Sequence, residues 1–110
     1  MANVTDVKSK AVKITLNDGV EREVKFTLNA LAELEDRFGS VDAAFDLLEK
    51  KNSMKALRTI LWAGFIHQDE SLTEKQVGNL IDLGYMQDLI KSLNVAFEND
   101  MSKADTVPNA

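Results

Sequence analysis

Residues 53–66 read SMKALRTILWAGFI and contain the longest mostly apolar segment of this 110-residue chain. Ser53 is a good N-cap residue, and from Met54 onward large apolar side chains fall on nearly every side of a helix. A helix that is apolar all round is normally buried. The pattern therefore predicts a central helix over residues 54–66, with the other elements packed around it.

Four further helices are indicated by apolar residues at helical spacing and by the residues that typically begin and end helices. Thr27 or Asn29 can cap the first of them. Thr73 can begin the fourth helix with a capping box that Gln76 completes, and Gly84 is the expected stop of that helix. The five predicted helices cover residues 28–38, 41–50, 54–66, 74–83 and 85–99.

Residues 10–26 alternate apolar and polar side chains, as the strands of a β-hairpin do. Their Asn-Asp-Gly turn allows two registers. A two-residue loop would place Leu16 opposite Glu21, whereas a three-residue loop places Leu16 opposite Val20. Matched apolar pairs stabilise a sheet, so the three-residue loop is predicted, with Gly19 in the left-handed backbone conformation.

Arg22 does not fit the alternation, because the predicted register places it opposite Ile14 on the inner face. Either it lies at the edge of the sheet with its stem packed and its charged head in water, or it meets a carboxylate. An isolated two-stranded hairpin is barely stable in water. The hairpin must therefore pack on the helices or pair with another chain.

The predicted fold class is α+β and mainly α, with an N-terminal hairpin followed by about five helices. It forms a single domain over residues 10–99. Residues 1–9 and 100–110 are polar and lack any period, so both are predicted to be flexible tails.

Composition excludes several classes of function. The formal net charge is −5 and the 13 Lys and Arg residues are scattered, so no nucleic-acid partner is expected. Residues 1–10 contain no signal-peptide pattern, and no apolar segment is long enough to cross a bilayer, so no membrane association is expected. The absence of cysteine fits a reducing compartment and excludes a thiolate site.

We find no pattern that points to catalysis. His67 is the only histidine and has no second imidazole at metal-ligand spacing, so a solvated loop residue is the better interpretation. Asp42 and Asp46 share a helix face, but solvated helix faces commonly carry such pairs. The prediction is a protein without catalytic residues, cofactor or metal, which is not an enzyme.

Apolar residues in the central and final helices exceed what a domain of this size easily hides. Aromatic residues at helical spacing usually belong to the core. If one stripe remains exposed, it is a partner-binding or self-association surface. The residues predicted for that surface are Trp62, Phe65, Met86, Ile90 and Phe97.

Three segments carry a further pattern. Residues 26–39 read FTLNALAELEDRFG, residues 61–65 read LWAGF and residues 72–77 read LTEKQV. In order and spacing they resemble the tail assembly chaperones of siphophages and gene transfer agents, in which a strand pair leads into a helix ending in Leu-Glu-x-x-Phe-Gly. The positions that match the family's structural motifs are Leu34, Glu35, Phe38, Gly39, Leu61, Trp62, Ala63 and Gly64.

The resemblance implies a non-catalytic chaperone for phage tail morphogenesis. Such a protein binds the tape measure protein and recruits tail tube subunits in the host bacterial cytoplasm, and it is absent from the mature virion. The alternative is a small structural tail or connector protein that is retained in the virion. Self-association is expected in addition, because the hairpin has edges to cover.

Overall fold

The computed structural model describes the backbone of residues 11–106 and the side chains of residues 11–101. The predicted tail at residues 1–9 lies outside this range. The predicted α+β class is confirmed, since an antiparallel hairpin precedes five helices. Within residues 11–106, no helix has both the length and the apolar character needed to cross a membrane. The elements are β1 (Val12–Thr15), β2 (Glu21–Val24), α1 (Leu28–Phe38), α2 (Val41–Lys51), α3 (Met54–Phe65), α4 (Glu74–Asn79), a 3-10 turn (Leu83–Tyr85) and α5 (Met86–Thr106).

The hairpin has the predicted register. Val12 lies opposite Val24 and Lys13 lies opposite Glu23. Gly19 adopts a φ of 79°, which is the left-handed conformation that the three-residue loop requires. Apolar pairing across the two strands therefore determined the register, as the sequence pattern indicated.

Arg22 meets a carboxylate, the second of the two alternatives left open by the sequence. Its guanidinium forms an ion pair of 2.9 Å with Asp18, and both terminal nitrogens donate hydrogen bonds to that side chain. These bonds, together with the backbone N–H of Val20, hold the pKa of Asp18 below its usual value. The guanidinium carbon also lies 6.0 Å from the ring centre of Phe65.

Helix α3 is central, as predicted. It packs against α1, α2, α4, α5 and β2, and its side chains Ile60, Leu61 and Phe65 are fully buried. Gly64 permits a close approach of the hairpin to α3, because a β-carbon built there would lie 2.8 Å from Val24 Cγ1. The Gly64 carbonyl also accepts a 2.9 Å hydrogen bond from the Lys25 N–H. The hairpin therefore docks directly on the backbone of α3.

The first four predicted helix starts are confirmed, and Thr27 rather than Asn29 caps α1 by accepting a 3.1 Å bond from the Ala30 N–H. The capping box of α4 is complete. Thr73 Oγ1 accepts from the Gln76 N–H at 3.1 Å, and Gln76 Oε1 accepts from the Thr73 N–H at 2.8 Å. The ends of α2 and α3 each differ by one residue from the prediction, which is the usual uncertainty of helix ends.

The predicted helix over residues 74–83 is too long. Helix α4 ends at Asn79, and Gly84 does not terminate it but belongs to the 3-10 turn. A glycine at position 78 weakens the helix interior. After the end of α4, the Leu80 carbonyl accepts a 2.9 Å hydrogen bond from the N–H of Asn17 in the hairpin loop. This bond ties the segment that follows α4 to the hairpin, so the helix does not continue.

The last helix was predicted over residues 85–99, but α5 runs from Met86 to Thr106. Residues 100–106, predicted as part of a flexible tail, are therefore helical. The carboxylate of Asp100 accepts a 2.8 Å bond from the Phe26 N–H, which ties this part of the helix to the hairpin. Residues 107–110 lie outside the described residues.

Candidate protein-binding surface

Two of the five residues predicted for a partner-binding surface belong to the core instead. Phe65 is 0% exposed and Ile90 is 7% exposed, so neither offers its side chain to another molecule. Phe65 is covered by the hairpin, with Arg22 over its ring, and Ile90 belongs to the buried stripe of α5. The prediction was wrong for these two residues because helical spacing put them on apolar helix faces, and such faces normally pack into the core.

Trp62 is half-buried and fully engaged within the chain. Its indole N–H donates a 2.8 Å hydrogen bond to the Leu72 carbonyl, and the Arg37 guanidinium carbon lies 4.6 Å from the centre of its ring. Arg37 also forms a 3.0 Å ion pair with Glu74. Trp62 therefore helps to position the loop before α4.

Phe97 and Met86, the other two predicted residues, are half-buried against the core. The Phe97 ring stacks on Phe45 with a centroid distance of 4.5 Å and meets Phe26 edge-on at 6.0 Å. The five predicted residues thus do not form one exposed patch.

The motif residues of the resemblance occupy structural positions. Gly39 ends α1 with a φ of 89°, and its N–H donates a 2.8 Å bond to the Glu35 carbonyl. The remaining apolar motif residues lie in the core or pack against it: Leu34, Leu61 and Ala63 are fully buried, Gly64 is buried and Phe38 is half-buried. These residues shape the fold and contribute little accessible surface.

The large apolar side chains that do face solvent are different ones. Leu28 is 82% exposed, and Met54, Leu83 and Tyr85 are each about 60% exposed. None of these four was predicted for the surface. Met54, Leu83 and Tyr85 were overlooked because the sequence placed them at the start or the end of a predicted helix. The signal that could have identified them is position, since Met54 starts α3 and the other two flank Gly84.

Met54 and Leu83 line one groove, which we call the α3–α4 groove. It lies between the first turns of α3, helix α4 and the segment that follows α4, and its volume is about 720 Å³. Leu57 and Ile81 add buried and half-buried apolar surface to its walls. The groove therefore offers both exposed and recessed apolar contacts.

The charged residues of the α3–α4 groove are all basic. Lys55, Arg58 and Lys75 line it and no acidic residue does, so the lining carries a formal charge of +3 on a chain whose net charge is −5. None of the three forms an ion pair with any residue among 11–101. The stem of Arg58 crosses α4 at Gly78, where a β-carbon would lie 3.0 Å from Arg58 Cδ.

Two other concavities have a different character. A groove of about 410 Å³ runs between β1 and the start of α5, contains Tyr85 and shares Ile81 with the α3–α4 groove. A second, of about 380 Å³, is lined by Phe45 and Phe97 and by the acidic residues Asp42, Asp46, Glu49 and Glu98. Basic and acidic concave surfaces thus occur on the same molecule.

The outer edge of β2 is covered at Glu23 by the turn that follows the central helix. His67 Nε2 lies 2.9 Å from the Glu23 carbonyl oxygen, and Gln68 Oε1 accepts a 2.8 Å bond from the Glu23 N–H. His67 is exposed, as predicted, but it also serves this structural contact. Within the described part of the chain, no cluster of three or more His, Cys, Asp or Glu residues could hold a metal ion.

A concave surface with exposed apolar side chains and unpaired charges is typical of a protein-binding site. Of the three concavities described above for residues 11–101, the α3–α4 groove is the one that combines exposed large apolar side chains with basic residues that form no ion pair. Its interpretation rests on these residues themselves, since no protein-family model, curated protein or solved structure matches the chain.

Proposed function

We propose that this chain is a non-catalytic chaperone for phage tail morphogenesis, which binds the tape measure protein and tail tube subunits during assembly. The resemblance of residues 26–39, 61–65 and 72–77 to the tail assembly chaperones supports this proposal. A protein with that role needs accessible apolar surface that takes an extended or helical client segment, and it needs no reacting group.

The observation that best supports the proposal is the exposure of Met54 and Leu83 in one groove. Side chains of this size are costly to leave in water, at about 25 cal/mol for each Å² of apolar surface. Both are about 60% exposed and line the α3–α4 groove. Apolar surface concentrated in a concavity is a feature of proteins that bind other proteins.

The three segments that resemble the chaperone family contact one another next to this groove. Arg37, from the first segment, stacks on Trp62 of the second and pairs with Glu74 of the third. The indole of Trp62 in turn holds the Leu72 carbonyl. Trp62 and Leu72 match the family's motifs, whereas Arg37 falls at a variable position of Leu-Glu-x-x-Phe-Gly. Their contacts hold the start of α4, which forms one wall of the groove.

The proposal places the chain in the host bacterial cytoplasm, and outside the mature virion. Its test is co-expression of the tagged chain with the tape measure and tail tube proteins encoded in the same genome. Both proteins are expected to co-purify with the chain. If neither is retained by the chain, the proposal is wrong.

Mass spectrometry of purified virions distinguishes the chaperone from a structural tail or connector protein. A chaperone is expected to be absent from the particle, whereas a structural subunit is retained at a fixed ratio to the tube protein. Retention would contradict the proposed role even if the tape measure protein co-purified with the chain.

A further inference from the structure

We infer that the α3–α4 groove binds an acidic amphipathic segment of a partner protein, in which apolar side chains are flanked by carboxylates. The inference deepens the proposed function, because it states the chemistry of the segment that such a chaperone would hold. It rests on the size of the groove, its apolar contacts and the sign of its charge.

The groove has the size and surface for a short peptide segment. Its volume of about 720 Å³ lies within the range of roughly 300–1,000 Å³ in which pockets bury a ligand of drug size. Met54 and Leu83 present exposed apolar surface, and Leu57 and Ile81 extend it inward. These side chains would bury one apolar stripe of a partner helix.

The charge of the lining selects among such segments. Lys55, Arg58 and Lys75 have no ion-pair partner among residues 11–101, so their charges are free to interact with a bound molecule. Long cationic side chains commonly pack their stems along apolar surface and keep the charged head at the rim. Carboxylates on both sides of the apolar stripe would meet these heads.

The attraction must be local, because the chain as a whole is acidic. Screening limits the effective range of exposed charges to about 8 Å at physiological ionic strength. The carboxylates next to the lining residues have other partners, since Glu74 pairs with Arg37 and Asp82 accepts a hydrogen bond from the Gly84 N–H. The lining itself has a formal charge of +3. The groove over Phe45 and Phe97, which four carboxylates line, would repel the same segment. The charges thus direct an acidic segment to one of the two concavities.

Three fluorescein-labelled model peptides test the inference. Each has about 15 residues, or four helical turns, and carries leucines at helical spacing flanked by Glu, Gln or Lys. By fluorescence anisotropy we expect the Glu peptide to bind most tightly and the Lys peptide most weakly. The difference should be about tenfold or more and should shrink as salt is added.

The variant Lys55→Glu/Lys75→Glu reverses two charges of the groove. Both positions lie in the first turn of their helices, where an acidic side chain suits the helix dipole, so folding is expected to be preserved. The variant should lose about tenfold in affinity for the Glu peptide and gain affinity for the Lys peptide. The matched control is Lys25→Glu/Lys91→Glu, which makes the same charge change at exposed positions outside the groove and should leave affinity within about twofold.

Hydrogen exchange locates the bound peptide. Amides in residues 54–58 and 75–83 are expected to be protected by the Glu peptide. The inference is wrong if the three peptides bind equally, if none binds at about 1 mM, a free energy near −4 kcal/mol, or if the control weakens binding as much as the groove variant. It is also wrong if the groove variant leaves Glu-peptide binding intact and abolishes only self-association, since the occupant would then be a second copy of this chain.

The tape measure protein separates the failure of this inference from that of the proposed function. If the tape measure protein binds the wild type and Lys55→Glu/Lys75→Glu equally, the groove inference is wrong while the chaperone role stands. If the Glu peptide binds as expected and the tape measure protein does not bind at all, the groove inference stands and the chaperone role is wrong.

Discussion

Gly64 sets the distance between the hairpin and the central helix. A β-carbon at this position would lie 2.8 Å from Val24 Cγ1 and 3.7 Å from the Phe26 ring, both of which are buried and cannot move away freely. The Gly64 carbonyl accepts a hydrogen bond from the Lys25 N–H in the same contact. Gly64 has a helical backbone conformation, which any residue can adopt. Packing, and not backbone conformation, is therefore the reason that a glycine is required here.

Gly64→Ala is expected to destabilise the fold by about 1–3 kcal/mol, because the added methyl group overpacks the helix–hairpin contact. Urea unfolding followed by circular dichroism measures the change. Gly78→Ala is the matched control, since its β-carbon would meet only the flexible Arg58 stem, at 3.0 Å. Better helix propensity should make the control neutral or more stable by up to about 1 kcal/mol. Equal stability of Gly64→Ala and the wild type would contradict the packing account.

Asp18 should titrate below its ordinary pKa of 3.8, because its carboxylate accepts hydrogen bonds from Arg22 and from the Val20 N–H. A folded-state pKa below the unfolded value means that the contact stabilises the protein at neutral pH. That stabilisation is lost as the pH falls through the folded-state pKa. NMR titration of the side-chain carboxyl carbon measures the pKa in the wild type and in Arg22→Gln.

In Arg22→Gln the Asp18 pKa is expected to rise towards 3.8, because the hydrogen bonds from Arg22, which are the largest cause of its lowering, are removed. Asp69 provides an internal comparison, because its lowered pKa comes mainly from Ser71. A shift of Asp69 as large as that of Asp18 would show that the substitution acts on the whole loop region rather than through the ion pair.

At the scale of elements, α4 is short and depends on its capping box. It has six residues, and Thr73 and Gln76 satisfy two backbone donors at its start. Helices of this length gain little from propensity alone. The cap and the contacts with α3 therefore maintain one wall of the α3–α4 groove.

Thr73→Ala is expected to destabilise the protein by about 1 kcal/mol and to speed hydrogen exchange in residues 74–79. Thr73→Ser keeps the hydroxyl group and should retain most of the protection. Hydrogen exchange with mass spectrometry compares the three proteins. Equal protection in all of them would show that tertiary contacts alone hold α4.

Local patterns determined much of the fold. The register of the hairpin followed from apolar pairing, and the central position of α3 followed from its apolar circumference. The two lengths that were predicted wrongly depend on contacts between distant residues. The Asn17–Leu80 bond holds the segment after α4, and the Phe26–Asp100 bond ties α5 to the hairpin beyond its predicted end.

The candidate site was less predictable than the fold. The sequence indicated an excess of apolar residues, and we chose Phe65 and Ile90 as surface residues because they are large and lie at helical spacing. Large apolar side chains at helical spacing are also the ones that form a core, and both residues are buried. The exposed residues Met54, Leu83 and Tyr85 lie where elements begin or turn, so no periodic pattern singles them out. The basic lining of the groove joins residues of two helices and appears only once they are packed.

At the scale of the whole molecule, we expect self-association. The outer edge of β2 is covered by His67 and Gln68, whereas β1 borders an open groove that contains the exposed Tyr85. An accessible strand edge is a template for pairing with another chain. Multi-angle light scattering should show an apparent mass that rises with protein concentration. A constant monomer mass at the highest accessible concentration would contradict this expectation.

We propose that this chain acts by holding a client protein through the apolar side chains of the α3–α4 groove. The most direct test is the soluble yield of the tape measure protein from the same genome, co-expressed with the wild-type chain, with Met54→Ser/Leu83→Ser or with Leu28→Ser. We predict that the wild type and Leu28→Ser keep the client soluble, whereas the groove variant, although folded, does not. Equal client solubility with the groove variant and the wild type would contradict the claim.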